Sequence, residues 1–293
     1  MTPGFRSVCG ALLAVCFAHA SASDSLRSAC ADDVPQAVDA PVLRVLTLNA
    51  SHGRNTAINQ VLVSKEQTYA NLDAIAELLA FAAADVVALQ EADAPSIWSG
   101  KFDHVTHLAD RSGYGCVAHG LHSRSWMSTY GTALLSSAEL REPASIRFQP
   151  SPPSKQKGYV SAQLLWRTDS GTHSITVASV HFDFLRRKTR DGQVSEMVAG
   201  LSRIDGPLIV LGDLNSEWHT EDSHVQRLAR ELDLHAYEPE QDGLGTYKKT
   251  TGKRLDWILV SRDLEFRKHE VLPDVVADHF AVFAELAYRG QPK

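Results

Sequence analysis

The sequence predicts a layered α/β/β/α sandwich, in which two packed sheets are covered on their outer faces by helices. Many short runs rich in β-branched and aromatic residues alternate with a few segments whose apolar residues recur every three or four positions. Several strand-like runs, such as 85–90 and 207–213, are apolar on both faces. Such strands must be covered on both sides, by a second sheet on one face and by helices on the other.

The composition is that of an ordinary globular protein. The chain has 293 residues, of which 44% are hydrophobic and 22% are charged, and this balance excludes disorder, collagen and coiled coil. The formal net charge of −6 gives no global attraction to polyanions, so tight nonspecific binding of nucleic acid is not expected.

Residues 1–22 are typical of a secretory signal peptide. Arg6 precedes the uncharged run 8–18, and small-residue cleavage patterns end at Ala20 and Ala22. The run is too short to cross a bilayer, which needs ~20 apolar residues, and no later segment is longer. We therefore predict a secreted or periplasmic protein without a transmembrane segment.

A polar, flexible lead-in over residues 23–40 is expected to follow the leader, and a single domain is expected over 41–289. Removal of the leader leaves Cys30 and Cys116 as the only cysteines. In an oxidising compartment they form either a disulfide or two unpaired small hydrophobic residues, and the sequence leaves both open.

The predicted strands are bounded by turn residues and rich in Val, Ile and aromatic side chains. They cover 42–49, 85–91, 131–137, 159–166, 173–182, 207–213, 254–260 and 278–286. The stretches between them at 93–130 and 143–158 are predicted to be irregular loops. Loops of that length in a compact domain tend to be functional.

Three amphipathic helices are predicted from apolar residues at helical spacing. Their apolar positions are Leu72, Ile75 and Leu79; Val194, Met197, Val198 and Leu201, with Asp191 as the N-cap; and Val225, Leu228 and Leu232. The His pairs in HVTH (104–107) and HGLH (119–122) lie outside these helical patterns, so they do not indicate a zinc site.

Polar side chains of a narrow chemical range close or open the predicted strands. Each alone is weak evidence, because Asp and Asn are common turn formers. Side chains at the same end of neighbouring strands nevertheless converge on one point, as in an active site. They are Asn49, Glu91, His181, Asp183, Asp213, Asn215, Asp256 and, opening the last strand, Asp278 and His279.

The order of these motifs, TLN, QE, HFD, GDLN, LDWI and ADH, resembles the endonuclease/exonuclease/phosphatase superfamily over residues 42–287. NASHG (49–53) and the segment 71–93 are similar to a functionally mixed bacterial branch with NIHHG and LQEVD motifs. The resemblance implies a DNase I-like four-layer fold and a metal-dependent phosphoric ester hydrolase.

Three residues are predicted to bind the metal. Glu91 and Asn49 offer hard oxygen donors suited to Mg²⁺ or Mn²⁺, with Glu91 as the anchor. Asp278 is expected to contact the ion directly or through water. The sequence departs from the abasic-endonuclease pattern at Ser51, where an acidic metal contact is usual, so we predict one ion; Ala277 in place of the usual Ser is a minor departure.

The other motif residues are predicted to be catalytic. The resemblance implies that Asp213 orients or deprotonates the attacking water and that Asn215 positions the water or the phosphate. Asp256 is expected to hold His279 in one tautomer and keep it cationic, so that it binds the phosphoryl oxygens. His181 is predicted to be a phosphate donor or the acid for the leaving group.

Basic runs next to the motifs, at 186–190 and 248–254, predict steering of a phosphate substrate, although such runs are also common on solvated faces. The residues expected to contact substrate are Asp183, Arg186, Arg190 and Arg254.

The leading hypothesis is a secreted, metal-dependent phosphoesterase that cleaves a phosphodiester by in-line attack of an activated water, an endonuclease being one form of this activity. The alternative is a sphingomyelinase-like phospholipid or inositol-phosphate phosphoesterase, for which Trp98 with Phe102 or Trp126 with Met127 are candidates to reach a membrane surface. A more remote alternative is a non-catalytic binding protein. The sequence contains no GxSxG nucleophile elbow, so it gives no indication of a carboxyl esterase. No protein partner is implied either.

Overall fold

The computed structural model describes residues 25–250 and 252–289. Its helices are α1 (Lys65–Ala82), α2 (His104–Ser112), α3 (Arg187–Leu201) and α4 (His224–Glu231). Its strands are β1 (Leu26–Cys30), β2 (Val38–Asp39), β3 (Leu43–Asn49), β4 (Val86–Asp93), β5 (Cys116–Arg124), β6 (Thr129–Ser136), β7 (Arg141–Arg147), β8 (Gly158–Thr168), β9 (Gly171–His181), β10 (Leu208–Asp213), β11 (Leu234–Ala236), β12 (Asp256–Ser261), β13 (Leu264–Val271) and β14 (Val282–Tyr288).

Within these residues the strands form two seven-stranded sheets. The first has the order β1-β5-β6-β4-β3-β14-β13, and the second has the order β11-β12-β10-β9-β8-β2 with β7 paired to β8. The predicted four-layer α/β/β/α sandwich is confirmed, since α1 and α2 cover the first sheet and α3 and α4 cover the second.

Alternation along the buried strands explains the layers. In β3, Leu43 lies in the core between the sheets, whereas Leu46 packs against Leu72 of α1. In β10, Ile209 lies between the sheets, whereas Val210 belongs to the core under α3 and α4. Each strand thus contributes apolar side chains to two cores, which is why its sequence reads as a continuous apolar run.

Two predicted boundaries are corrected. Helix α3 begins at Arg187 with Arg186 at the N-cap, so Asp191 lies inside the helix and does not cap it. Strand β14 begins at Val282, and Asp278 and His279 precede it in a loop, where His279 forms an isolated bridge with Tyr247.

The predicted loops at 93–130 and 143–158 contain regular structure. The first holds α2, β5 and the start of β6, and the second holds most of β7. Helix α2 is short, with Asp103 as its N-cap, and the sequence of β5 interrupts its apolar residues with buried His119 and His122. These features hide both elements from a search for periodic apolar residues.

The segment expected to be a flexible lead-in carries two edge strands. β1 pairs antiparallel with β5, and this register sets Cys30 opposite Cys116, where the two form a disulfide. β2 pairs with the end of β8. The predicted leader over 1–22 lies outside the described residues, and no helix among those described is both long and apolar enough to cross a membrane.

Candidate active site

A cleft of about 580 Å³ lies where strands of both sheets end. Strands β3 and β4 run parallel in the first sheet, and β9 and β10 run parallel in the second. Their ends meet across the sandwich, where Asn49 Nδ2 donates to Asp213 Oδ2 at 3.0 Å. Seven of the eight residues predicted to be catalytic or metal-binding line this cleft: Asn49, Glu91, His181, Asp213, Asn215, Asp278 and His279.

His279 and Asp256 form a buried pair. His279 Nδ1 lies 2.8 Å from Asp256 Oδ2, which also accepts a hydrogen bond from the Thr246 hydroxyl at 2.6 Å. Burial disfavours the charged imidazole, but the carboxylates of Asp256 and Asp213 outweigh burial and raise the pKa of His279 to about 10. His279 is therefore a cation at neutral pH.

Asp213 lies at the centre of the site. Its Oδ2 is 3.8 Å from His279 Nε2 and 3.4 Å from His181 Nε2, and its Oδ1 accepts from the backbone N–H of Asn215 at 3.0 Å. Burial, together with the neighbouring charge of Asp256, raises the pKa of Asp213 to about 7 in spite of the His279 cation. A carboxylate with this pKa can accept a proton near neutral pH.

Asn215 has a strained backbone that directs its side chain. Its φ is +46°, in the left-handed region that non-glycine residues rarely adopt. Its Nδ2 donates to the carbonyl oxygen of Phe182 at 3.1 Å, which ties the turn after β10 to the end of β9.

Glu91 is directed into the cleft by a β-bulge. The register of β4 against β6 shifts between Leu89 and Ala92, and Glu91 has a φ of +49°. Burial of the Glu91 carboxylate opposes its ionisation, but the neighbouring cations His52, Lys157 and Arg54 outweigh burial and lower its pKa. The carboxylate is therefore anionic at neutral pH.

The cations around Glu91 lie close to its two oxygens. Oε2 is 3.3 Å from His52 Nε2 and 3.9 Å from Arg54, and Oε1 is 4.0 Å from Lys157 Nζ. His52 is held from behind by Asp93, whose Oδ1 is 2.7 Å from Nδ1. This is a second His–Asp pair, in addition to that of Asp256 and His279.

Both carboxylate oxygens of Asp278 accept hydrogen bonds from neighbouring side chains. Its Oδ1 accepts from the Ser51 hydroxyl, and its Oδ2 accepts from Arg54 at 3.1 Å and Lys249 at 2.8 Å. Burial favours the protonated form, but these contacts outweigh it and lower the pKa of Asp278. Ser51 thus fills the place of the missing acidic residue with a hydrogen bond to Asp278.

His181 contacts a buried lysine. Lys157 Nζ lies 3.1 Å from His181 Nδ1, and the side chains of both residues are almost fully buried. Burial, together with the charge of Lys157, lowers the pKa of His181 well below its usual value. His181 is therefore neutral and can donate a hydrogen bond from Nε2, but it is not an imidazolium acid at neutral pH.

Two groups of side chains could hold a metal ion. Among the described residues, Asp213, Asp256 and His279 offer ligand atoms within 4.8 Å of one another. Asn49 and Glu91, which the sequence predicts as ligands, also line the cleft. An ion in the first group would have to displace the proton of His279, whereas Glu91 is already anionic, so the second group suits a hard cation better.

The four residues expected to contact substrate have different positions. Only Arg190 lines the cleft, where its guanidinium also donates to the backbone oxygen of Asp183. The side chain of Asp183 is buried and accepts from the backbone N–H of Arg186 at 2.7 Å. The guanidinium of Arg186 donates to the backbone oxygen of Ser151.

Arg254 lies outside the cleft lining. Its side chain is buried, its guanidinium carbon stacks 4.1 Å from the ring centre of Trp257, and it donates to the backbone oxygen of Tyr237 at 3.0 Å. These contacts do not support the prediction that Arg254 binds substrate, because they direct its charge into the protein.

Several site residues carry no motif that sequence analysis could use. Lys157 lies in a stretch predicted to be a loop, Lys249 in a basic run, and Arg54 directly after NASHG. Asp93 follows Glu91 by two positions, and both side chains contact His52 beside a β-bulge. For Arg54, Asp93 and Lys249, the sequence indicates a place in the site only through their position next to motif residues.

Comparison with known proteins gives a family match. Residues 46–279 match the model of the Endonuclease/Exonuclease/phosphatase family. No curated protein matches the chain significantly.

Several solved structures share the fold. An endonuclease/exonuclease/phosphatase from Beutenbergia cavernae has a TM-score of 0.69 at 19% identity, covering 86% of this chain and 73% of its own. The catalytic domain of human Nocturnin, with a bound sulfate anion, has a TM-score of 0.62 at 20% identity, covering 85% and 94%. A mannosyl-6-phosphatase from Bacteroides thetaiotaomicron has a TM-score of 0.60 at 16% identity, covering 84% and 100%. These similarities establish the fold alone.

Proposed function

Because the chain belongs to the endonuclease/exonuclease/phosphatase family, we propose that it is a metal-dependent phosphoesterase that hydrolyses a phosphodiester by in-line attack of an activated water. The observation that carries the proposal is the position of Asp213. This buried carboxylate, with a pKa of about 7, lies 3.8 Å from the His279 cation, and both residues line the cleft.

Asp213 is assigned as the general base. The amide of Asn49 donates to Oδ2 and the backbone of Asn215 donates to Oδ1, so the carboxylate is held in one orientation toward the cleft. A base with a pKa near the working pH combines an adequate ionised fraction with a real affinity for the proton of water.

His279 is assigned as the group that stabilises negative charge on the phosphoryl oxygens. Its charge is maintained by Asp256, which itself lies outside the cleft lining and is held by Thr246. A fixed cation that faces the developing charge needs no reorganisation during the reaction. Neutral His181, fixed by Lys157, is assigned as a hydrogen-bond donor to a phosphoryl oxygen.

The donor set fits one divalent ion. Glu91 supplies an anionic carboxylate and Asn49 an amide oxygen, the ligand chemistry of Mg²⁺ or Mn²⁺. Such an ion would neutralise charge on the phosphoryl oxygens. Both oxygens of Asp278 already accept hydrogen bonds, so it is assigned a role through water, and the cations around Glu91 disfavour a second ion.

We propose that the protein is exported by the leader predicted over residues 1–22. The disulfide between Cys30 and Cys116 supports this location, because such bonds persist in oxidising compartments. N-terminal sequencing of exported protein should find a start between residues 21 and 24, whereas retention of Met1 would contradict the proposal.

A hydrolysis panel tests the activity. Plasmid DNA, RNA, sphingomyelin, inositol phosphates, a phosphomonoester and bis-p-nitrophenyl phosphate are each incubated with Mg²⁺, Mn²⁺ or EDTA, and Asp213→Asn serves as the background. We expect hydrolysis of a phosphodiester that EDTA abolishes. The alternative of a lipid or inositol-phosphate substrate is decided by the same panel.

Two results would overturn the assignment. Hydrolysis that persists in EDTA would remove the metal from the proposal, and inactivity on every ester would favour a binding protein on the same scaffold. The site argues against the binding protein, because no predicted catalytic or metal-binding side chain from Asn49 to His279 is missing.

A further inference from the structure

Large apolar side chains are exposed on a segment that begins a few residues after Arg54, which lines the cleft. The segment that follows Arg54 carries Ile58, Val61 and Leu62, all exposed to solvent. The short helical turn 60–62 contacts the turn 97–99. A folded protein normally exposes such side chains singly, so a cluster of them marks an interaction surface.

The cluster continues onto a third segment. The backbone N–H of Ile97 donates to the carbonyl oxygen of Met127 at 2.8 Å, and the neighbouring Trp126 is 81% exposed. Ile97 is itself half exposed. We call Ile58, Val61, Leu62, Ile97 and Trp126 the apolar rim.

The apolar rim is connected to the catalytic residues. The ring of Trp98, next to Ile97, packs 5.0 Å from the ring of His52, and His52 Nε2 lies 3.3 Å from Glu91. Arg54 lines the cleft four positions before Ile58. The rim therefore stands beside the cleft and not at a distant part of the surface.

The remaining sides of the mouth are apolar and basic. Phe184 lines the cleft on the side of β9 and is 65% exposed, and Leu185 beside it is also exposed. Exposed Lys248, Lys249 and Lys253 lie on the segment that closes the cleft near His279. Lys249 and Lys253 line the cleft, where they pair with Asp278 and Glu217 and keep about half of each side chain exposed to solvent. A charged cleft thus opens between apolar side chains and lysines.

We propose that the apolar rim, Phe184 and these lysines bind the surface of an anionic phospholipid bilayer, and that the cleft acts on a phosphodiester headgroup presented there. This inference rests on the proposed phosphodiesterase activity. Trp and Leu enter the headgroup region, while lysines are attracted to anionic lipids. A polynucleotide would find cations in the cleft, which Arg54, Arg187 and Arg190 line, but it would gain nothing from the exposed Ile, Leu and Trp side chains of the rim.

Vesicle co-sedimentation tests the inference. The full-length mature protein carrying Asp213→Asn, which leaves the lipid intact, is mixed with phosphatidylcholine vesicles with or without phosphatidylglycerol. We expect binding that increases with phosphatidylglycerol and weakens with salt. Adding Leu62→Ser and Trp126→Ser should weaken binding by at least tenfold, since each removes a side chain whose burial is favourable.

Phe81→Ser is the matched control. Phe81 is 88% exposed, as Leu62 is 82% exposed, but it lies near the other end of α1. From the rise of ~1.5 Å per residue, Phe81 is roughly 25 Å along the helix from Lys65, where α1 begins after the rim segment. Its replacement should leave vesicle binding unchanged. In the active protein, Leu62→Ser with Trp126→Ser should leave hydrolysis of soluble bis-p-nitrophenyl phosphate unchanged.

The outcomes separate the two proposals. Absence of vesicle binding, or equal loss with Phe81→Ser, would overturn the membrane surface while leaving soluble diester hydrolysis as evidence for the activity. Vesicle binding without hydrolysis of any phosphodiester would overturn the activity alone. Self-association or plasmid binding that is lost with Trp126→Ser would assign the rim to a second copy or to nucleic acid and contradict the inference.

Discussion

Two histidine–aspartate pairs lie near the cleft, one with its aspartate in the first sheet and one with its aspartate in the second. His52 Nδ1 is 2.7 Å from Asp93 in the first sheet, and His279 Nδ1 is 2.8 Å from Asp256 in the second. All four side chains are buried, and the pKa of each histidine is raised because carboxylates outweigh the effect of burial.

The pairs differ in the carboxylate that each histidine faces. His52 faces Glu91, whose pKa is lowered because Lys157 and Arg54 add their charges to overcome burial. His279 faces Asp213, whose pKa rises to about 7 because burial, reinforced by a neighbouring carboxylate, outweighs the single cation. Two pairs of the same kind thus face carboxylates with different properties: His52 faces a permanent anion, Glu91, and His279 faces a proton acceptor, Asp213. The surroundings of the second carboxylate decide its role.

The largest effect is expected from the proton acceptor. Asp213→Asn should lower kcat by roughly 10²–10⁴, because the amide cannot take a proton from water. The matched control is Glu217→Gln, which changes another carboxylate lining the cleft that pairs only with Lys253. A Glu217→Gln loss as large as that of Asp213→Asn would show that the assay reports general electrostatics and not the base.

The pair behind the acceptor should act as one unit. Asp256→Asn and His279→Ala should each lower kcat by roughly 10²–10³ through loss of transition-state stabilisation. The double variant should cost little more than either alone, because Asp256 acts through His279. Rates measured for the four proteins give the coupling directly, and additive losses would break the pairing.

His52 provides the contrast in the same experiment. His52 is not among the residues that line the cleft, so His52→Gln should lower kcat by about tenfold or less. Its main effect should be on the metal concentration needed for activity, because His52 contacts the proposed metal ligand Glu91. A loss equal to that of His279→Gln would make the two pairs equivalent and would refute the comparison.

The pH dependence follows from the second pair. Asp213 acts deprotonated, so kcat should fall about tenfold per pH unit below its pKa of about 7. His279 acts protonated, so kcat should also fall above a pKa of about 10. His279→Gln removes a charge that lowers the pKa of Asp213, and the acidic limb should move to higher pH. A limb that stays in place would show that the two groups do not interact.

Much of the second pair could be predicted from the sequence, unlike the first. Asp256 and His279 stand in motifs, and Asp213 ends a strand. His52 and Asp93 also lie beside motif residues, but their contact is formed next to a β-bulge at Glu91 and a left-handed backbone at His52, which no periodic pattern reveals. Periodicity counts residues and cannot detect an extra residue in a strand.

The four layers of the fold could be predicted because the buried strands have a clear apolar pattern. Strands with two apolar faces, such as β3 and β10, predict that other elements cover both faces of the sheet. Edge strands such as β1 and β7 bury little, and short polar runs without a buried face carry no periodic signal. Which cations face which carboxylate depends on tertiary contacts such as that of Lys157 with Glu91, which no local pattern encodes.

Lys157→Met should change metal binding and turnover in opposite directions. Lys157 Nζ, 4.0 Å from Glu91 Oε1, competes with a metal ion for this carboxylate, so its removal should tighten Mn²⁺ binding by about tenfold. Tenfold is about 1.4 kcal/mol, a fraction of the ~4 kcal/mol between unit charges about 4 Å apart at an effective dielectric near 20. Turnover should fall, because His181 loses the group that fixes it. Mn²⁺ titration by electron paramagnetic resonance and steady-state rates measure the two effects. Lys157→Arg, which keeps the charge, is the control, and a variant that weakens both would make Lys157 merely structural.

The smallest effect is expected from a carboxylate added at Ser51. It should make the surroundings of Glu91 and Asp278 differ further from those of Asp213. Ser51 donates to Asp278 through its hydroxyl and to Asn49 Oδ1 through its backbone, so Ser51→Asp places a second anion beside Asp278. A divalent ion would relieve the repulsion, and we expect the metal requirement to fall by roughly fivefold, which corresponds to ~1 kcal/mol. The melting temperature of the variant should be lower than that of the unmodified protein without metal, and should rise more when Mn²⁺ is added. Ser51→Asn has nearly the same shape without the charge. If both variants respond equally to Mn²⁺, the metal does not lie on the Glu91 side of the cleft.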